Sequence, residues 1–217
     1  MTNQTIIDYV KAELSQDKTG HAWDHIERVV ANCRQLLAKL NKVVDEEIVI
    51  TAAYVHDCLD DKLFNNPEEK EVQLKHHLLN NGLSTDQVVT IIDIIKNQSF
   101  SANLTSRQAL SLEGQVLQDA DRLDALGAIG IARTFYYAGA KGNPLYNQSS
   151  VRTQLDKAAY RQAENSSINH FYEKLLKLEN LMNTEVGKNE AHKRTVFMQE
   201  FLSNFYQEIG QAPSDNI

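Results

Sequence analysis

An all-helical fold is what this sequence predicts, and three observations predict it. Glycine and proline are sparse, 9 and 3 in 217 residues, too few breakers for a turn-rich β fold. Apolar residues recur at i, i+3, i+4 and i+7 in one segment after another. The β-branched cluster VVTIIDII at 88–95 has helical rather than alternating neighbours, so no strand pair is read. A chain of this size buries most of the surface its unfolded form exposes, and a single domain needs no disulfide or zinc staple.

The elements follow in order. Residues from about Thr2 to Leu14 place Ile6, Ile7, Val10 and Leu14 on one face. A polar loop ending at Gly20 leads to a helix from about Trp23 to Leu40, with the stripe Ile26, Val29, Val30, Cys33, Leu36, Leu37 and Leu40. Asp45 suits an N-cap, with Glu46 and Glu47 in the first turn. The segment it opens, IVITAAYVHD, is apolar nearly all round, as central helices are. Pro67 fits the first turn of the next helix and Gly82 its end. Ser84 and Gln87 make a capping box for STDQVVTIIDIIKNQ. A further helix runs from about Leu112 to Ala125 and on to Tyr137, and AGAKGNPLYNQSS is the clearest long loop. Ser166 or Ser167 caps a helix ending near Asn183, a last helix covers about Asn189 to Ile209, and the tail QAPSDNI is read as frayed.

Charge and composition exclude several partners. The formal charge of −7 opposes binding of long nucleic acid, whose affinity comes from phosphate neutralisation, while a local basic pocket for a small phosphate stays open. Cys33 and Cys58 form no Cys-x-x-Cys pair and sit in apolar stretches, so both are expected as buried free thiols in a reducing cytoplasm. The opening MTNQTIIDYVKAEL has no apolar core and carries Asp8 and Glu13, unlike a signal peptide. No apolar run reaches the ~20 residues of a membrane span.

The chemistry gathers around His56-Asp57, which ends the most apolar helix. A histidine and a carboxylate at the inner end of a buried helix need partners. Adjacent helical residues point about 100° apart, so the two share an ion only if other helices complete its shell. His25 flanks the stripe of the preceding helix, on a polar ridge with His21 and Arg28. Asp121 lies in QVLQDADRLDALGAIGIAR, apolar on most sides, and shares a face with Asp124. Two imidazoles and two carboxylates suit a divalent transition ion better than Ca²⁺.

These residues carry a resemblance. The pattern H…HD…D, with TGHAWDHIERV around His25, HDCLDDK around His56-Asp57, SFSANL, and DADRLDALGAIGIARTF around Asp121, is similar to the HD-domain phosphohydrolase superfamily. It resembles most closely the small stand-alone bacterial branch, some members of which are nucleoside triphosphate pyrophosphohydrolases. The resemblance implies a single helical HD-domain bundle over 1–217, with a core at about 19–146 and C-terminal helices at about 150–210. It implies His25, His56, Asp57 and Asp121 as ligands of one divalent ion, Mn²⁺ before Mg²⁺, Co²⁺, Ni²⁺, Fe²⁺ or Zn²⁺. It also implies Asp60, three places after the ligand Asp57, and the following Asp61 as the acids near the attacking water. HDCLDD is similar to the HDxxED pattern of guanosine tetraphosphate hydrolases, with Asp60 one methylene shorter than Glu. One departure stands at Ala22, where relatives often carry Asp; an acid follows instead at Asp24.

The expected chemistry is hydrolysis of a nucleotide or similar phosphate compound by metal-activated water. His21, Arg28, Lys62, Arg122 and Arg133 are the candidate phosphate contacts. Pyrophosphohydrolysis of a nucleoside triphosphate leads, with guanosine tetraphosphate-type or monophosphate hydrolysis as alternatives and a homodimer as the assembly it allows. A two-iron oxygenase needs further histidines between the second and last motifs, where only the adjacent His76 and His77 stand. A non-catalytic metal- and nucleotide-binding module is opposed by the intact ligand set. His76, His77, His170 and His192 are read as packing or capping residues.

Overall fold

The computed structural model describes residues 4–15, 23–59, 66–98, 109–147, 151–152 and 166–211. Among these residues all regular structure is helical: nine α-helices and two 3₁₀ turns, with no strand. The chain divides into two compact units, Met1–Ala120 and Asp121–Ile217.

The first unit is built on α1 (Gln4–Leu14), α2 (Trp23–Leu37), α3 (Glu46–Val55), α4 (Pro67–Asn80) and α5 (Thr85–Asn97), and α6 (Leu112–Asp124) begins in it. Helix α3 is central, packing on α1, α2 and α5, with Ile48, Val49 and every residue from Thr51 to Val55 buried. Its predicted cap is present: the Asp45 carboxylate accepts from the Glu47 and Ile48 amides at 2.9 and 3.2 Å. The Ser84–Gln87 box closes in both directions at 3.0 and 3.2 Å. Pro67 opens α4 behind an Asn66 cap, and Gly82 follows it at φ 97°, a conformation costly for any residue with a Cβ. Helix α2 stops at Leu37 rather than Leu40. Its last amides, Lys39 and Leu40, bond three residues back to Leu36 and Leu37 at 3.1 Å, tightening the end into 3₁₀ geometry. Cys33 and Cys58 are buried free thiols. Burial first, and the Asp57 charge second, push the Cys58 thiol up, which keeps it a poor nucleophile.

The second unit corrects four helix boundaries. The helix predicted from Leu112 through Tyr137 breaks in two. Helix α6 ends with Ala125 and Leu126 bonding three residues back to Arg122 and Leu123, each at 3.1 Å, and Gly127 turns the chain at φ 71°. A Cβ at Gly130 would lie 2.2 Å from the Ala125 carbonyl oxygen, so the corner depends on that glycine. Helix α7 (Gly127–Lys141) then runs through the first four residues of the predicted loop. It ends at Gly142, φ 71°, where the Asn143 amide bonds the Ala138 carbonyl at 2.9 Å.

The helix expected from Ser166 to Asn183 is also shorter. Ser166 caps α8 (Ser167–Glu173), accepting from the Asn169 amide at 3.2 Å. Two 3₁₀ turns follow, Leu175–Lys177 and Glu179–Leu181. A 3₁₀ turn eclipses side chains three apart, which lets Leu175 and Leu178, 3% and 1% exposed, bury together. The last helix, α9 (Glu185–Glu208), begins earlier than Asn189 because Thr184 caps it, accepting from Gly187 at 2.9 Å. Phe135 of α7, Phe171 of α8 and Phe201 of α9 meet pairwise with centroids 5.9–6.2 Å apart, so each helix contributes one aromatic to this core.

Candidate metal centre

The site in the first unit forms where α2 begins and α3 ends. His25 is the third residue of α2. His56 caps α3 with helical φ and ψ, and the Cys58 amide bonds the Val55 carbonyl at 3.0 Å, turning Asp57 back beside it. The three residues are 2%, 5% and 7% exposed, so their polar atoms must be matched inside the protein.

Their ring nitrogens and carboxylate converge. His25 Nε2 and His56 Nε2 lie 3.2 Å apart. The Asp57 carboxylate is 3.6 Å from His25 Nε2 and 3.4 Å from His56 Nε2. His56 Nδ1 lies 2.8 Å from the Ala53 carbonyl. A carbonyl only accepts, so Nδ1 carries a proton, and in the neutral imidazole the Nε2 lone pair faces His25 and Asp57. Two nitrogen ligands in adjacent positions around an ion with bonds of ~2.1 Å stand about 3 Å apart. The separation of the two imidazoles fits that arrangement, and the buried N₂O donor set fits a divalent transition ion.

Asp121 is on α6, one peptide beyond Ala120. The Ala120 carbonyl accepts from Asn32 Nδ2 of α2 at 3.0 Å, which fixes this turn of α6 against the helix that carries His25. Asn32 lies seven residues after His25, on the same flank of the apolar stripe, and its burial shows in the sequence only as a polar residue beside that stripe.

The remaining candidates separate. Asp60, Asp61, Lys62 and His21 lie outside the described residues. Arg28 Nη1 donates to Asp24 at 2.7 Å, and this bond is the main reason the Asp24 carboxyl sits below its ordinary value. Arg122 donates to the Leu181 carbonyl. Arg133 is ion-paired with Asp124. Among the other histidines, His77 stacks on Tyr9 at 4.3 Å, and His192 pairs with Glu179 at 3.0 Å.

Comparison with known proteins gives this geometry a family. Residues 22–126 match the HD domain. YpgQ of Bacillus subtilis is 35% identical over 207 residues, covering 95% of this chain and 93% of that protein. Its crystal structure in complex with ADP, aligned at 36% identity, has a TM-score of 0.75 over 94% and 93% of the two chains. A Lactobacillus plantarum protein of known structure is 39% identical, with a TM-score of 0.82 over 95% and 96%. An HD-superfamily hydrolase from Bacillus thuringiensis is 36% identical, with a TM-score of 0.75 over 96% and 97%. No helix among the described residues is long and apolar enough to cross a membrane. A helical chain with a buried His–His–Asp cluster, similar over nearly its whole length to such hydrolases, belongs to the HD-domain superfamily of metal-dependent phosphohydrolases.

Proposed function

We propose that this enzyme hydrolyses a nucleotide, most simply a nucleoside triphosphate to monophosphate and pyrophosphate, with His25, His56, Asp57 and Asp121 holding one divalent cation, Mn²⁺ first. The observation that carries the reading is the buried convergence of His25, His56 and Asp57 within 3.2–3.6 Å. Asp121 joins the set as the last residue of the H…HD…D pattern of the HD domain, whose model matches residues 22–126. The nucleotide part is supported by the ADP complex of the Bacillus subtilis relative. When bound, the cation supplies Lewis acidity, making water more acidic and polarising a phosphoryl oxygen.

The chain's own groups do the rest. The Ala53 carbonyl keeps the His56 proton on Nδ1 and leaves Nε2 as a donor of electrons. Burial of the three side chains excludes bulk water from their inner faces. Asp60, with Asp61 beside it, is proposed to orient and deprotonate the attacking water. His21, Arg28 and Lys62 are the proposed phosphate contacts. Arg122 and Arg133, proposed as phosphate contacts as well, also hold Leu181 and Asp124.

The test is release of phosphate and of pyrophosphate across a nucleotide panel with Mn²⁺, Mg²⁺, Co²⁺ and Ni²⁺. Pyrophosphate release with Mn²⁺ and no activity in Asp57→Ala is expected. Metal-loaded protein that leaves the whole panel intact would remove the nucleotide part of the reading.

A further inference from the structure

His25 and His56 both stand at helix ends, where the backbone ladder is incomplete and fraying begins. Their Nε2 atoms nevertheless meet at 3.2 Å. Two residues before each histidine stands an aromatic: Trp23 before His25, and Tyr54 before His56. These two rings stack on each other, with centroids 6.0 Å apart and planes 13° apart. Lys11 Nζ, from α1, lies 4.6 Å from the indole centroid, in range of a cation–π contact. Residues two apart on a helix point about 200° apart. The aromatic pair and the histidine pair therefore leave α2 and α3 in nearly opposite directions, and each bridges the same two helix ends. A twist or slide that parted the histidines would also unstack Trp23 from Tyr54.

We infer that Lys11, Trp23 and Tyr54 form a positioning clamp that sets the spacing of the two histidines, and with it the affinity and coordination of the divalent cation. Tyr54 is buried and Trp23 half-buried, so the clamp also anchors the first residue of α2, two places before a proposed ligand. This inference rests on the metal reading above.

The experiment titrates Mn²⁺ into Trp23→Ala, Trp23→Phe, Tyr54→Leu and Lys11→Met, records the Co²⁺ absorption spectrum of each, and measures the Tm of the metal-free proteins in parallel. Trp23→Ala is expected to weaken Mn²⁺ binding about 10–100-fold, as loss of a supporting partner does at metal sites, and to change the Co²⁺ spectrum. Trp23→Phe keeps a stacking ring and is expected to restore most of the affinity. Wild-type affinity and spectrum in Trp23→Ala overturn the clamp; if that variant does not fold, the same result in Tyr54→Leu does so. His56→Ala in the same series separates the two readings. Retained Mn²⁺ affinity in His56→Ala removes the metal site itself, whereas its loss there with wild-type clamp variants removes only the clamp.

Discussion

In the first unit His25, His56 and Asp57 are all less than a tenth exposed, and in the second Glu173 is buried to the same degree. The chemistry of the two places differs. Glu173 receives three hydrogen bonds from Arg152: the guanidinium donates to both carboxylate oxygens at 3.0 and 2.7 Å, and the backbone amide donates at 2.9 Å. This is a fork on a carboxylate, in which opposite charges match one to one. At His25, His56 and Asp57 the converging atoms include a carboxylate and an imidazole lone pair, which call for a cation rather than for each other. Burial of ionisable groups alone does not mark a functional site; the balance of donors and acceptors among them does.

That contrast can be broken at either end. The largest effect is expected at the metal centre. Asp57→Ala should weaken divalent-ion binding by more than ~100-fold, beyond the usual cost of losing a supporting partner. It should leave the metal-free Tm within a few degrees, measured by metal titration and calorimetry. A metal-free protein that collapses on this substitution would make the cluster structural, like the Arg152–Glu173 pair. The reverse is expected at that pair. Arg152→Met should cost about 3 kcal/mol in denaturant unfolding, the low end for breaking a buried ion pair, since the Arg152 side chain is 35% exposed. Metal affinity should not change.

The smallest effect sharpens the comparison through pH. Burial, with Lys174 and Arg152 adding to it and Glu173 opposing, lowers His170 from its ordinary 6.5 to about 4. The unfolded chain therefore binds a proton that the folded one does not between those values. Stability from this residue is fully present above pH 6.5 and is lost progressively as pH falls toward about 4. Unfolding curves of wild type and His170→Gln at pH 7.5 and 4.5 check this: the variant should lose less stability on acidification. An identical loss in both proteins would reject it.

Local signals carried much of the helical plan because their physics is local. Asp45, Ser84 with Gln87 and Ser166 each accept from amides within three residues, Pro67 presets the first turn of α4, and each helix starts where these signals stand. Two of the helix boundaries that moved depend on contacts outside such windows, whereas α9 starts early on a local cap at Thr184. The α6–α7 corner needs Gly127 at positive φ and Gly130 free of a Cβ against Ala125, yet Gly in a helical pattern reads equally as a tolerated interior residue. The end of α8 follows from Leu175 and Leu178 burying in a 3₁₀ turn, and their spacing of three is compatible with either helix type. Polar residues inside apolar helices singled out His25, His56-Asp57 and Asp121 as candidates, and the first three lie together. The Trp23–Tyr54 stack was not readable, because Trp and Tyr on apolar helices are ordinary core residues until their rings are seen to meet.

What the sequence by itself determined is the all-helical class, the starts of its capped helices, and a family whose site residues follow a fixed pattern. These depend on periodicity, on capping chemistry, and on side chains whose burial would be too costly without a purpose. What only the tertiary structure decided is which buried charges neutralise each other and which converge on a common point. Arg152 and Glu173 are 21 residues apart, and His25 and His56 are 31 apart; neither separation tells an ion pair from a metal centre. The direction of the His56 lone pair, set by one hydrogen bond to Ala53, is a three-dimensional fact with no trace in the order of the residues.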